Sequence, residues 1–116
     1  MESILNSTKK KLGIGEDYTH FDDGELIDHI NTTFMVLTQL GVGPSEGFII
    51  EDDTAIWDDF ISEPLKLRAV RTYVFQKAKL IFDPPTSSAH MQALKESIAE
   101  FEWRLNAEAE SQAKVE

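Results

Sequence analysis

The chain has 116 residues, with 21 acidic and 11 basic side chains and a formal net charge of −10. A chain of this length is expected to form one domain with its own apolar core. The absence of cysteine excludes a disulfide framework, a thiol nucleophile and a cysteine-based metal site. The acidic balance argues against a nucleic-acid-binding protein, because phosphate binding requires clustered positive charge.

Hydropathy gives no sign of a membrane protein. No segment approaches the ~20 consecutive apolar residues that a membrane-spanning helix requires. The three lysines at 9–11 are not followed by a long apolar run. We therefore expect an intracellular protein with no membrane span and no signal peptide.

The first half of the chain is predicted to form two helices. The first covers residues 2–12 and ends at Gly13, a residue type that commonly terminates helices. The second covers 24–40, where apolar side chains recur at three- and four-residue intervals and Asp22 or Asp23 can cap the helix. The glycines and proline that follow end it.

The middle of the chain is less regular. Residues 42–53 are predicted to be a loop that packs on a neighbour, although the apolar run within them also favours extended backbone. Asp52 or Asp53 is expected to cap a short helix over 54–61.

Two longer helices are predicted for the second half. Pro64 suits the first turn of a helix over 64–82, which is apolar on more than one face and is therefore expected to be central. Two prolines end it, and a last helix covers 89 to about 109. Residues 110–116 lose the apolar stripe and are predicted to form a flexible tail.

Together these elements predict an all-α fold. It is a small helical bundle of about four main helices plus one short helix, in a single domain over 1–109. The predicted core residues are Ile30, Phe34, Leu37, Val70, Val74, Leu94, Ile98 and Phe101.

Charge is distributed in two neighbouring blocks of opposite sign. Residues 46–63 contain seven acids and no lysine or arginine, whereas residues 64–82 contain five basic residues and no acid. Blocks of this kind allow a small domain to stack against copies of itself or against a charged partner. The pattern favours an assembly component over an enzyme.

No catalytic, metal-binding or cofactor-binding site is predicted. The stretch Gly13-Ile14-Gly15 follows a helix rather than a strand and is interpreted as a helix end, not a phosphate loop. The acids at 17–25 lack the spacing of a calcium loop. Glu25 and His29 are interpreted as a surface ion pair, and the paired acids of 52–59 as solvated charge.

Three large apolar side chains lie inside the acidic block. Phe48, Trp57 and Phe60 either close one end of the core or form a contact patch rimmed by acids. These two interpretations are not exclusive.

Two long stretches of the chain resemble one protein family. They are ILNSTKKKLGIGEDYTHFDDGELIDHINTTFMVLTQLGVGP and KLRAVRTYVFQKAKLIFDPPTSSAHMQALKESIAEFEWRLN, in which FDPPTSS separates two long helices. Both resemble the head–tail connector (adaptor) proteins of long-tailed bacteriophages and prophages. The resemblance covers about residues 3–107 and lies in the combined pattern, because no catalytic motif anchors it.

The resemblance implies a structural function in the virion, at the head–tail interface. Such connectors are helical bundles that form a ring, commonly of twelve subunits, beneath the portal protein. The ring extends the DNA channel, through which DNA passes without specific binding, and docks the next head-completion or tail protein. Such proteins assemble in the bacterial host cytoplasm and have no enzymatic activity, cofactor or membrane contact.

We expect neighbouring subunits of such a ring to meet through the two charged blocks. The predicted interface residues are Phe48, Glu51, Asp52, Asp53, Trp57, Asp58, Asp59, Lys66, Arg68 and Arg71. The alternative hypothesis is a small monomeric or dimeric acidic adaptor or inhibitor that binds a single protein partner.

Overall fold

The computed structural model describes residues 2–14 and 22–115, with side chains as far as Gln112. These residues form five helices, in the order α1 (Ile4–Lys11), α2 (Asp23–Gln39), α3 (Trp57–Phe60), α4 (Pro64–Phe82) and α5 (Ser88–Val115). The described residues contain no strand, only an isolated bridge between Ser3 and Ile56. The predicted all-α helical bundle is confirmed.

Glycines end the first two helices as predicted. Gly13 has φ of +80° and Gly41 has φ of +88°, a left-handed conformation that glycine adopts without a steric penalty. After α2, the N–H of Val42 donates to the carbonyl of Leu37 at 2.9 Å, which completes a Schellman turn. At the other end of α2, the Asp22 carboxylate accepts a hydrogen bond of 3.0 Å from the N–H of Gly24.

The short helix α3 is shorter than predicted and is capped differently. The N–H of Ile56 donates to the Asp59 carboxylate at 3.1 Å, and the helix begins at Trp57. Asp52 instead accepts hydrogen bonds from the N–H and hydroxyl of Thr54, at 2.9 and 2.6 Å. The prediction that Asp52 or Asp53 caps this helix was therefore wrong, because Ile56 occupies the N-cap position.

Helix α4 is the centre of the bundle. It has the predicted bounds, begins with Pro64, and packs against α1, α2, α3 and α5. Of the predicted core residues, those on α2 and α4 are fully buried, and Ile98 is buried with 7% of its surface exposed. Leu94 and Phe101 are partly buried against the same core.

Helix α5 continues to Val115, beyond its predicted end near Ala109. Alanine, glutamate and glutamine dominate this stretch, and all three have high helix propensity even without an apolar stripe. The ammonium of Lys66 donates to the amide oxygen of Gln112 at 3.0 Å, which ties the end of α5 to α4. The predicted flexibility of 110–116 stays a prediction.

Within the described residues, no helix combines the length and apolarity needed to cross a membrane. Residues 15–21 lie outside the described part of the chain, so of the acids at 17–25 only Asp22, Asp23 and Glu25 are described.

Candidate functional site

The large apolar side chains of the acidic block belong to the core. Trp57 and Phe60 are 2% and 3% exposed. Phe48 is half-buried, with its ring centroid 5.1 Å from that of Phe34 and 5.3 Å from that of Phe60. Their interpretation as closing one end of the core is therefore what the structure supports. The side chain of Trp57 is not available at the surface of this subunit.

Helix α1 fixes the position of the acidic block. The N–H of Ile4 donates to the carbonyl of Ala55 at 3.0 Å, and the amide of Asn6 lies 3.4 Å from the Asp53 carboxylate. The loop that precedes α3 is therefore held along one side of α1.

An acidic surface forms on that side of α1. We call Glu51, Asp52 and Asp53 the acidic loop; all three are exposed. The two hydrogen bonds from Thr54 hold the pKa of Asp52 below its usual value. The acidic loop lines a cleft of about 480 Å³ together with the aliphatic part of α1 and the side chain of Lys9.

Lys9 does not neutralise the acidic loop. Its side chain is only 4% exposed, and its ammonium lies 3.0 Å from the Asp23 carboxylate. Because this ion pair joins α1 to α2 within the subunit, the carboxylates of the acidic loop keep their net negative charge. The loop therefore presents negative potential to the outside.

A positively charged groove lies on the other side of α1, between α1 and α4. We call it the basic groove; its volume is about 390 Å³ and it is lined by Lys11, Pro64, Leu67, Arg68, Arg71, Thr72 and Phe75. Apolar side chains contribute to its lining, and the ammonium of Lys11 lies 5.7 Å from the Phe75 ring centroid.

The two arginines of the basic groove differ in their contacts. The Arg71 guanidinium lies 5.5 Å from the Trp57 ring centroid and 3.1 Å from the Glu2 carboxylate, so its charge is engaged within the subunit. Arg68 is exposed, and among the described residues its side chain forms no ion pair. Arg68 is therefore the arginine of the groove that is more available to a partner.

The acidic loop and the basic groove lie on opposite sides of α1. Lys9 lines the acidic cleft and Lys11 lines the basic groove. Residues two apart on an α-helix point about 160° away from each other. One subunit thus carries surfaces of opposite sign on opposite sides, although the two charged blocks are neighbours in sequence.

The remaining predicted interface residues divide by accessibility. Asp58 and Asp59 are exposed, and Asp59 caps α3 as described above. The side chain of Lys66 is only 12% exposed, lying 3.9 Å from the Glu63 carboxylate and bonded to α5. Lys66 is therefore engaged within the subunit, whereas Asp58 is free to face outward.

Sequence reasoning did not single out a second acidic surface, on α5. Trp103 is 70% exposed, and three glutamates lie seven residues before, three before and seven after it. We define the Trp103 stripe as the exposed residues of this helix face: Glu96, Ala99, Glu100, Trp103 and Glu110. These spacings place all of them on one face of a helix. The spacing is present in the sequence, but apolar periodicity predicts the buried face of a helix and does not mark this exposed one.

The described part of the chain contains no group of three or more histidine or acidic side chains that could hold a metal ion. The predicted Glu25–His29 ion pair does not form. His29 packs against Phe82 instead, with ring centroids 5.7 Å apart, and burial lowers its pKa.

The sequence model of one protein family matches residues 4–112, and that family is described as phage connector protein. The match spans the whole bundle, from α1 into the last turns of α5. The chain belongs to the phage connector family. Comparison with curated proteins and with solved structures gives no significant match.

Family membership confirms the resemblance found in the sequence. The connector is a component of a bacteriophage, and its family is structural, which indicates a non-enzymatic function. Its exposed charged surfaces are therefore features that a function must explain.

Proposed function

We propose that this connector is a head–tail connector, a head-completion adaptor that forms a ring under the portal vertex of the phage head. The ring, of about twelve subunits as the family resemblance implies, extends the DNA channel and docks the next head-completion or tail protein. The observation that carries this proposal is the family match across residues 4–112. Assembly would take place in the bacterial host cytoplasm before the connector becomes part of the virion.

The distribution of charge supports ring formation. A ring requires a head-to-tail contact between two different surfaces of the same subunit, and the ring closes if the rotation between subunits allows it. The basic groove lies on the opposite side of α1 from the acidic loop. Complementary potentials of this kind fix the register of an interface and disfavour wrong orientations.

The basic groove therefore forms one side of the proposed subunit contact, with Arg68 as its more available arginine. Arg71 and Lys66 belong to the same predicted interface, but contacts within the subunit engage their charges. Two acidic surfaces are available to meet it. One is the exposed part of the predicted interface, namely Glu51, Asp52, Asp53, Asp58 and Asp59, with Phe48 half-buried beside them. The other is the Trp103 stripe.

The net charge of −10 supports passage of DNA without specific binding. A channel wall with negative potential repels phosphate and leaves the duplex free to move. In this proposal the acids that are not used in subunit contacts face the channel or the portal protein.

The proposal is tested by mixing the connector with the portal protein of the same phage and imaging the mixture by negative-stain electron microscopy. We expect portal rings that carry an additional collar at one end. Bare portal rings at high connector concentration would contradict the proposal and would favour an adaptor that binds a single protein partner.

A further inference from the structure

We infer that the Trp103 stripe of one subunit docks into the basic groove of the next subunit, with the indole of Trp103 as the apolar anchor of the contact. The partner of the groove is thus a second copy of this chain. This inference rests on the ring proposed above and names the two surfaces that build it.

The Trp103 stripe has the composition of a protein-binding surface. Tryptophan is the residue type most enriched among the side chains that dominate binding energy at interfaces, and Trp103 is 70% exposed in the isolated subunit. The exposed glutamates around it give the surface a negative rim. Among the described residues, Glu100 is the one acid of the stripe that forms an ion pair, with Arg104 at 2.8 Å.

The basic groove complements this surface in shape and charge. Pro64, Leu67 and Phe75 provide apolar walls, and the groove has a volume of about 390 Å³. Exposed cations at its edge match the glutamates of the stripe. An indole ring that enters the groove would also meet guanidinium groups, which favour the faces of aromatic rings.

The two surfaces lie on opposite sides of the subunit, as a head-to-tail contact requires. On α4, Tyr73 faces α5 and donates a hydrogen bond of 2.7 Å to Glu102, whereas Arg71 faces the groove. These residues are two apart and so point about 160° from each other. On α5, the buried Leu105 and the exposed Trp103 are related in the same way.

The acidic loop is a weaker candidate for the groove. Hydrogen bonds within the subunit do not separate the two surfaces, because two acids of each accept them: Asp52 and Asp53 in the loop, Glu96 and Glu100 in the stripe. Of the large side chains near it, Trp57 and Phe60 are buried, and the exposed Ile49 is not of a residue type enriched among interface anchors, whereas tryptophan is. The Trp103 stripe combines charge with an exposed anchor, and this combination decides between the two surfaces.

Cysteine crosslinking tests the contact directly, because the chain contains no cysteine of its own. The double variant Ala99→Cys/Thr72→Cys carries one thiol in the stripe and one at the groove. It is assembled on portal rings and treated with a short bismaleimide, which tolerates a wider separation than a disulfide does. We expect a ladder of crosslinked dimers, trimers and higher species, whereas each single variant should give no dimer.

The matched control places the first thiol in the competing acidic surface, as Asp58→Cys/Thr72→Cys. A ladder from this control and not from the stripe variant would overturn the inference while leaving the ring intact. Crosslinked dimers from a single variant would indicate a two-fold contact and would also overturn it. If the wild-type connector forms no collar on the portal, the proposed function fails and the inference fails with it.

The anchor is tested by Trp103→Ala, with Ile81→Ala as a control that removes an exposed apolar side chain elsewhere. Loss of an interface anchor of this type weakens association by about 30-fold. For Trp103→Ala, we expect the connector concentration that half-saturates collar formation to rise by this factor, with an unchanged circular dichroism spectrum. Ile81→Ala should leave both unchanged. Equal half-saturation for the two variants would overturn the role of Trp103.

Discussion

The indole N–H of Trp57 donates a hydrogen bond of 2.8 Å to the hydroxyl of Ser7, 50 residues earlier in the chain. Both side chains are buried, and the bond joins α3 to α1. The acidic loop precedes α3 in the chain, so its position depends on how α3 is held against α1. The bond therefore helps to set where the charged surfaces lie.

Ser7→Ala should destabilise the connector, because the indole N–H of Trp57 would be left buried without an acceptor. Such a loss costs about 1–3 kcal/mol, and the higher helix propensity of alanine offsets about 0.5 kcal/mol of it. The free energy of unfolding in urea measures the difference. Ser45→Ala, at an exposed serine, is the control and should change it by less than about 0.5 kcal/mol. Equal values for the two variants would contradict a stabilising bond.

Gly43→Ala should be poorly tolerated. A Cβ atom at this position would overlap the Phe60 ring, and the backbone has φ of +84°. The left-handed conformation costs about 1–2 kcal/mol for alanine, and overpacking the core adds about 1–3 kcal/mol.

Gly47→Ala separates these two contributions. Gly47 has φ of +94°, but a Cβ atom at this position would have no neighbour within 4 Å among the described residues. Thermal unfolding should therefore show a larger loss of stability for Gly43→Ala than for Gly47→Ala. A similar loss for both would mean that Phe60 moves aside without cost.

Removing the charge of Asp23 from its ion pair with the buried Lys9 should reduce the free energy of unfolding. Asp23→Asn leaves the ammonium of Lys9 buried and should cost about 1.5–3 kcal/mol, at the lower end because Asp23 is 46% exposed. Lys9→Met removes the charge and keeps the aliphatic stem, so it should be nearly neutral. The double variant should be more stable than Asp23→Asn alone in urea unfolding. Additive losses would exclude coupling between the two side chains.

Local signals allowed much of the bundle to be predicted. Helix α4 has its predicted bounds because proline defines both its first residue and the break after it. Helix α3 was predicted too long, because periodicity does not report which backbone N–H each acid bonds. Asp52 accepts from Thr54 in the loop, whereas Asp59 accepts from Ile56 at the start of the helix.

The interaction surfaces were harder to predict than the helices. In the charged blocks of the sequence, Lys66, Arg68 and Arg71 are equivalent interface candidates. In the structure, Arg68 alone of the three is exposed and without an ion pair among the described residues. The difference arises from contacts with Glu2 and Gln112, which are distant in sequence. The burial of Trp57 likewise depends on its tertiary contact with Ser7.

Stability should decrease as the pH falls, in part through His29. Burial lowers the pKa of His29 below its ordinary value of 6.5; the charge of Lys77 lowers it further, and a backbone hydrogen bond with Lys77 opposes this. The unfolded chain therefore binds more protons as the pH falls through about 6.5, so stability is full above this pH and declines below it.

His29→Phe should flatten this dependence, because phenylalanine retains the packing against Phe82 but cannot titrate. Thermal unfolding between about pH 5 and pH 7.5 measures it, and this range lies above most carboxyl titrations. His90→Gln, at an exposed position, should leave the profile of the wild type unchanged. If His90→Gln flattens the profile more than His29→Phe does, the pH dependence of stability does not come from His29.

Arg68→Glu should weaken ring assembly and reduce its sensitivity to salt. In the proposed ring, Arg68 is the more available arginine of the basic groove, and reversing its charge replaces an attraction to the next subunit by a repulsion. Because Arg68 forms no ion pair within the described residues of its own subunit, the variant should retain the thermal stability of the wild type. Arg71→Glu is less informative, since it also breaks the contacts of Arg71 with Glu2 and Trp57.

Collar formation on portal rings at increasing sodium chloride concentration measures the effect. Exposed charges separated by more than about 8–10 Å are largely screened at physiological ionic strength. Wild-type collars should therefore be lost progressively as salt is added. Arg68→Glu collars should be fewer at low salt and should change less with salt, because added ions screen the new repulsion. Lys79→Glu reverses a charge on the same helix outside the groove and is the control; it also breaks an exposed ion pair with Asp83, a kind of contact that contributes little to stability. If Arg68→Glu assembles as well as Lys79→Glu and keeps the salt response of the wild type, charge pairing at the groove does not hold the subunits together.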